Sequence, residues 1–234
     1  MNRLSTNPES SDRAPSRGFW VMRDVPTVLW LLIVVIAAFA HRWVPAPRWL
    51  MIHLTLLGAV THAILVWSQY FSFALLRSAA TRRERRAQNL RLVLANTGAS
   101  LVMIGVPTVL WMLTITGATL IAVAASWHGA SLVLRARRSL AGRFGHTVHY
   151  SIAAAALLVL GVALGGWLAV DGAPPQWVMA HALVNVLGWI GLTVAGTIVT
   201  LWPTILGTRA EERAPHGAAL ALPVLTGGVV IAAA

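Results

Sequence analysis

The sequence predicts an all-α fold, a polytopic transmembrane helical bundle with six complete spans and a partial seventh. Apolar residues make up 57% of the 234 residues and charged residues only 11%, whereas soluble domains contain roughly 25% charged residues. The charges gather in short clusters between apolar runs of about 20 residues, the length that crosses a hydrocarbon core. Cysteine is absent, which excludes disulfides, thioether-attached haem and thiolate metal sites.

The first four spans follow a polar N-terminal segment. Residues 1–24 are rich in Ser, Pro and Arg and predict a disordered cytoplasmic tail. Span one covers residues 25–44 and span two covers residues 48–76. The uncharged run 92–134 is too long for one crossing of a bilayer core roughly 30 Å thick, so it holds spans three and four. We place the turn between them at residues 114–117, with a kink at Pro107; a turn at residues 105–108 is the alternative.

The remaining apolar runs complete the bundle. Span five covers residues 147–169 and span six covers residues 177–206, so that residues 25–208 form the predicted transmembrane bundle. Residues 209–217 read as a cytoplasmic loop, and residues 218–234 read as the start of a seventh span. Because that run stops without a polar flank, we expect the native chain to continue beyond residue 234.

Arginine distribution predicts the orientation. All 18 basic residues are arginine, and the loops after spans two and four hold six and four of them, while those after spans three and five hold none. The positive-inside rule therefore places these loops and the N-terminus in the cytoplasm. The net charge of +11 is then explained by arginines that flank the membrane spans and set their orientation. We therefore expect no nucleic-acid partner.

Histidines are the candidate functional groups within the spans. No Asp, Glu, Lys or Arg falls inside the spans as drawn, which argues against an ion-coupled transporter or a proton pump. A polar side chain in hydrocarbon is costly without a partner, so each intramembrane histidine is a candidate. These candidates are His53, His62, His128, His149 and His181.

Depth selects one pair among them. His53 and His181 lie at the same depth near the outer surface on two different helices, the arrangement in which two imidazoles bind haem iron from both sides. His62 follows His53 by nine residues and points to the opposite face of the helix, so the two cannot share an iron. His128, near the middle of span four, is the next candidate and forms a fallback pair with His62. His149 lies at the cytoplasmic start of span five.

Span six carries further candidates on the face of His181. Asn185 and Gly188 follow His181 by four and seven residues, so they share its face, as Leu57 shares that of His53. The Asn185 amide can bond a haem propionate, a quinone oxygen or a neighbouring helix. Small residues around Gly188 leave room for either a flat ligand or a closely packed helix.

The stretch MAHALVNVLGWIGLTVAGTIVTLWPTIL in span six resembles a signature of bacterial integral membrane proteins related to haem–copper oxidase subunit I. It looks like the membrane region found ahead of multicopper oxidase or copper nitrite reductase-like domains, and span two and residues 127–150 are similar to the same family. The resemblance implies haem b in a helical bundle, with copper only in a partner or C-terminal domain. His53 and His181 match the haem-ligand positions, followed by His128. The chain has no His-His pair, so oxygen reduction within these spans is not expected.

The combined expectation is a haem-b-binding electron-transfer module in the lipid bilayer. It relays electrons from quinol to a periplasmic or fused copper oxidase-type domain, which makes it a redox relay or the membrane part of an oxidoreductase. The alternative is a cofactor-free membrane anchor or structural bundle whose histidines tie helices together. A metal-ion permease is a weaker alternative, because the intramembrane Met103 and Met112 point to opposite faces.

Overall fold

The structure is a computed structural model that describes residues 17–138, 145–171, 174–208 and 211–234. This part of the chain consists of seven helices, a short 3₁₀ turn at Gly145–Thr147 and connecting turns, with no strand among the described residues. Helices α2 and α6 are each continuous but change from α to π and back to α along their length. The seven helices are α1 (Arg17–Phe39), α2 (Pro47–His53, Leu54–Val60 and Thr61–Leu75), α3 (Arg82–Gly105), α4 (Trp111–Arg138), α5 (Val148–Asp171), α6 (Pro175–Leu183, Val184–Gly191 and Leu192–Ile205) and α7 (Ala214–Ala233).

Five of these helices are long and apolar enough to cross a membrane. They are α2 (Pro47–Leu75), α4 (Trp111–Arg138), α5 (Val148–Ala169), α6 (Pro175–Pro203) and α7 (Ala214–Ala233). Both remaining helices carry charged residues in their N-terminal parts, Arg23 and Asp24 in α1 and several arginines in α3. The predicted multi-pass helical fold is confirmed, whereas the predicted count of six complete spans and a seventh is reduced to five.

The turn between the third and fourth predicted spans lies at the alternative position. Helix α3 ends at Gly105 and α4 begins at Trp111, so the turn expected at residues 114–117 is wrong. Pro107 contributes no amide hydrogen to a helix, and Val109 takes the left-handed φ of 57° that closes the turn. The turn was misplaced because a continuous run of apolar residues does not show where one helix ends and the chain turns back into the next.

Gly117, assigned to a turn by the sequence, instead serves close helix packing. A Cβ atom on Gly98 of α3 would lie 2.6 Å from the carbonyl oxygen of Gly117 in α4. Such a distance is shorter than any normal carbon–oxygen contact, so both glycines are needed for the approach of the two backbones. The α3–α4, α5–α6 and α4–α5 pairs have the most extensive packing of the bundle.

The arginine-rich segment after α2 is largely helical rather than a loop. Helix α3 begins at Arg82, where the Thr81 hydroxyl accepts from the Glu84 amide and the Glu84 carboxylate accepts from the Thr81 amide. Partial burial raises the pKa of Glu84, but the Thr81 hydrogen bonds and the charge of Arg135 outweigh it and leave that pKa below its ordinary value. The Glu84–Arg135 ion pair joins α3 to α4.

Two arginines lie inside the bundle, contrary to the sequence prediction. Arg91 of α3 is only 3% exposed and donates to the Gln69 side chain of α2 at 2.9 Å. Arg23, expected in a disordered tail, lies in α1 and donates to the Gln88 and Asn89 side chains of α3. Buried guanidinium groups are tolerated here because side-chain amide oxygens accept hydrogen bonds from them. We call this side of the molecule, where Arg23, Glu84 and Arg135 surround the start of α3, the arginine end.

The C-terminal apolar run begins earlier than predicted. Helix α7 starts at Ala214, so residues 214–217, expected to belong to a loop, form its first turn. Residues 209–210 of that predicted loop and residues 1–16 of the predicted tail lie outside the described residues. Most of the apolar surface of α7 is exposed, including Val224 and Ile231, as expected for a helix in contact with lipid.

Candidate functional site

The imidazole rings of His53 and His181 lie near each other in almost parallel planes. Their ring centroids are 6.2 Å apart and their planes differ by 18°. Each residue belongs to the first turns of its helix, α2 or α6, so both lie at the end of the bundle opposite the arginine end. Leu57, expected on the inward face of His53, packs against the buried core. We call this end, with His53 and His181, the histidine end.

Backbone carbonyls fix the tautomer of both rings. The Nδ1 atom of His53 lies 2.9 Å from the Trp49 carbonyl oxygen, and the Nδ1 atom of His181 lies 2.8 Å from the Gly161 carbonyl oxygen. A carbonyl oxygen only accepts, so each Nδ1 carries the proton and donates it. The neutral ring then keeps its free lone pair on Nε2, which is the arrangement found in metal-ligating histidines.

The separation of the rings matches a shared metal ion. A metal–imidazole bond is about 2 Å long, and the ring centre lies about 1 Å beyond the nitrogen, so two opposed imidazoles on one ion have centroids about 6 Å apart. The observed 6.2 Å is close to this value, and a shared ion would further require the Nε2 atoms of the two nearly parallel rings to face each other. Direct stacking of two rings would bring the centroids closer, as for Trp49 and His53, whose centroids are 4.0 Å apart.

Helix α5 supplies the surface on which His181 and Asn185 rest. A Cβ atom on Gly165 would lie 2.7 Å from Cε1 of His181, and one on Gly161 would collide with the Asn185 amide. The Asn185 Nδ2 atom donates to the His181 carbonyl oxygen at 2.7 Å and lies 3.3 Å from Nδ1 of His181. Asn185 therefore holds the start of α6 in place. Trp49, Gly161 and Gly165 are residues of this site that the sequence analysis missed.

Gly188 serves helix packing rather than a gap for a flat ligand. A Cβ atom at Gly188 would lie 2.8 Å from Cδ1 of Leu157 in α5. In the same way, a Cβ atom at Gly196 would lie 2.9 Å from Cγ of Tyr150. Of the two roles left open for these small residues, the structure therefore gives them the packing role.

His62 and His128 have other partners and are not brought together as a pair. Nε2 of His62 lies 2.8 Å from the Arg23 carbonyl oxygen, and its Nδ1 lies 2.8 Å from the Asn96 amide nitrogen. Both nitrogens of His62 are therefore used in tying α2 to α1 and α3. His128 is only 1% exposed, and its Nε2 lies 2.9 Å from the Ser68 hydroxyl. His149 is exposed at the start of α5.

A short sequence repeat underlies the histidine pair. The pattern Pro-x-Trp-x-Met-x-His occurs at residues 47–53 and again at residues 175–181. In both copies the proline occupies the first turn of the helix, where its missing amide hydrogen costs nothing. Because each histidine follows its proline by six residues, both reach the same height in the bundle. A π-helical segment follows in each case, Leu54–Val60 and Val184–Gly191, a rare feature that is frequent at functional sites.

The pair offers two protein ligands to a metal ion. Among the described residues there is no group of three or more His, Asp or Glu side chains placed to hold a metal. A metal ion between His53 and His181 would be held by these two imidazoles and would need further ligands from outside the pair. No protein-family model matches the chain, and no curated protein or solved structure is significantly similar to it.

Proposed function

We propose that this chain is a membrane electron-transfer module that binds one b-type haem between His53 and His181. The observation that carries the proposal is the ring pair, with centroids 6.2 Å apart and both Nδ1 atoms bonded to backbone carbonyl oxygens. His53 and His181, each with a free Nε2 lone pair, would be the two residues that hold the haem iron. When bound, haem supplies a one-electron redox couple.

The residues of the pair hold and orient the group. The carbonyl oxygens of Trp49 and Gly161 keep the Nδ1 atoms protonated and set the direction of both rings. A hydrogen bond to the distal nitrogen also raises the basicity of the ligating nitrogen. The indole of Trp49 covers one face of the His53 ring and limits the access of water from that side.

The direction of electron flow follows from the proposed orientation. With the arginine end in the cytoplasm of a bacterial cell, the histidine end lies near the outer surface of the cytoplasmic membrane. Electrons then pass from quinol in the bilayer to an acceptor on the periplasmic side. The resemblance of span six favours a copper oxidase-type domain as this acceptor, with copper held in that domain, whether fused to this chain or a separate partner.

A cofactor-free anchor is the second candidate, and a specific observation favours it. His62 is bonded at both nitrogens to neighbouring helices, and His128 is bonded to Ser68, so histidines do tie helices together in this bundle. The second candidate assigns the same role to His53 and His181. The two candidates differ in whether the Nε2 atoms of that pair bind iron.

An absorption spectrum separates the two candidates. The protein is purified in detergent from haem-replete cells, and its Soret band and haem-to-protein ratio are measured. We expect about one haem per chain, lost in both His53→Ala and His181→Ala and retained in the control His41→Ala, whose residue is exposed and bonds only within its own segment. Absence of haem from the wild-type protein, or its full retention in both alanine variants, would refute the proposal.

A further inference from the structure

We propose that a groove between α2 and α6, toward the arginine end, binds the ring of a quinol and prefers the quinol to the corresponding quinone. This inference names the binding site of the electron donor and therefore rests on the proposed function. Ser68 at the groove lies about 22 Å along the axis of α2 from His53, so the groove and the histidine pair are separate sites.

The groove has the size and position expected of a site for a membrane-soluble ring. Its volume is about 390 Å³, within the range of small-molecule sites. Aromatic side chains from both helices line it, namely Trp67, Phe71 and Trp202. Trp67 and Trp202 are 40% and 57% exposed on helices that are long and apolar enough to cross a membrane, so in a bilayer the groove opens sideways toward lipid. A ligand dissolved in the bilayer can enter it without crossing water.

The inner end of the groove is polar. A second, smaller cavity of about 20 Å³ adjoins it and shares Ser68, Phe71 and Thr197 with it. This volume is enough for one water molecule. Six hydroxyl side chains line this smaller cavity: Ser68, Ser72, Thr147, Ser151, Thr197 and Thr200. A lipid acyl chain has no group that uses such a hydroxyl-lined end, whereas a quinol has hydroxyl groups on a flat apolar ring.

Hydrogen-bond directions at the inner end favour the reduced ligand. The Ser68 hydroxyl donates to the Ile64 carbonyl oxygen at 2.5 Å, and the Thr197 hydroxyl donates to the Thr193 carbonyl oxygen at 2.7 Å. A hydroxyl has only one hydrogen, so the Ser68 and Thr197 oxygens can only accept a further hydrogen bond. A quinol hydroxyl can donate to them, whereas a quinone carbonyl oxygen, which only accepts, can bond to neither of these two hydroxyls.

His128 acts as a positioning residue for this end of the groove. Its Nε2 lies 2.9 Å from the Ser68 oxygen, and since the Ser68 hydrogen is given to Ile64, the His128 Nε2–H is the donor. That bond uses one lone pair of the Ser68 oxygen and leaves the other for a ligand. His128 thus fixes the Ser68 hydroxyl in its accepting orientation from behind the groove.

Direct binding measurements on the purified chain in lipid nanodiscs test this inference. A short-tailed benzoquinol and its quinone are titrated anaerobically, and an azido-benzoquinone is used to label the site. We expect saturable binding, label within residues 63–71 or 193–202, and tighter binding of the quinol. Thr197→Val, which removes one acceptor without changing side-chain size, should weaken quinol binding about five- to tenfold and leave quinone binding unchanged.

Two further variants make the test decisive. Thr119→Val is the matched control, because the Thr119 hydroxyl makes the same bond to the carbonyl four residues earlier, at 2.8 Å, on an exposed face of α4; it should leave binding unchanged. Ala63→Phe fills the groove and should abolish binding of both forms. Equal affinity for quinol and quinone, label confined to other helices, or non-saturable uptake like that of an acyl chain would each overturn the inference.

The same assay separates this inference from the proposed function. In the His181→Ala variant, quinol binding should persist because the groove is distant from the pair. A protein that binds quinol in the groove but no haem refutes the proposed function and leaves the groove assignment intact. A protein that binds haem but no quinol in the groove refutes the groove assignment and leaves the proposed function intact.

Discussion

A single added methyl group on α5 should disturb the histidine pair. In Gly165→Ala the new Cβ atom would lie 2.7 Å from Cε1 and 3.1 Å from Nδ1 of His181, whereas normal carbon contacts begin at about 3.5 Å. The ring must therefore move by about 0.8 Å, more than the roughly 0.5 Å that a preorganised site tolerates. Overpacking of this kind costs about 1–3 kcal/mol.

The assay for this variant is haem affinity, measured by titrating haem into apoprotein and following the Soret band. If the overpacking destabilises the haem-bound protein and not the apoprotein, the affinity for haem should fall by about 5- to 150-fold. Gly166→Ala is the matched control on the neighbouring residue, because its Cβ atom would lie 3.5 Å from that of Ala118, an ordinary contact. Equal haem affinity of the Gly165→Ala variant and the wild-type protein would refute the assigned contact between α5 and the pair.

Three other predictions concern stability and topology. His62→Ala leaves the Asn96 amide without its histidine partner and should lower the free energy of unfolding by about 1–3 kcal/mol, measured by denaturation in mild detergent; an unchanged midpoint would contradict it. Glu84→Gln should destabilise by about 1 kcal/mol or less at pH 7 and by less still near pH 3, because a carboxyl with a lowered pKa stabilises the fold above 4.5 and loses this contribution as pH falls through its folded value. A reporter fused after Arg86 should be cytoplasmic and one fused at Gly172 periplasmic, and periplasmic activity at Arg86 would reverse the proposed orientation.

The arginine end shows why charge alone did not reveal the buried side chains. Arg91 looks like a member of a basic loop in the sequence, because five other arginines precede it closely. In the structure its neighbours in α2 and α4, Gln69 and Trp127, provide an amide oxygen and an aromatic face. An arginine can therefore be buried when partners of this kind lie on adjacent helices, and the identity of those partners depends on how the helices are rotated.

The sequence by itself determined the helical, multi-pass character of the chain and the common height of His53 and His181 within it. Apolar length fixes how many residues cross a bilayer, and the distance of His53 and His181 from the starts of α2 and α6 fixes their common depth. These properties depend on position along one helix and need no knowledge of its neighbours.

Only the tertiary structure decided between the leading and the fallback pair of histidines, and only it showed what surrounds them. Helices that are apolar on most faces give no clear periodic signal for their rotation, so the sequence could not show that Gly165 of α5 supports His181 or that Gly188 packs against Leu157. The turn after Gly105 was likewise hidden in a continuous apolar run. Partner choice, close backbone approach and the groove beside Ser68 arise from contacts between helices, and those contacts are set by packing rather than by composition.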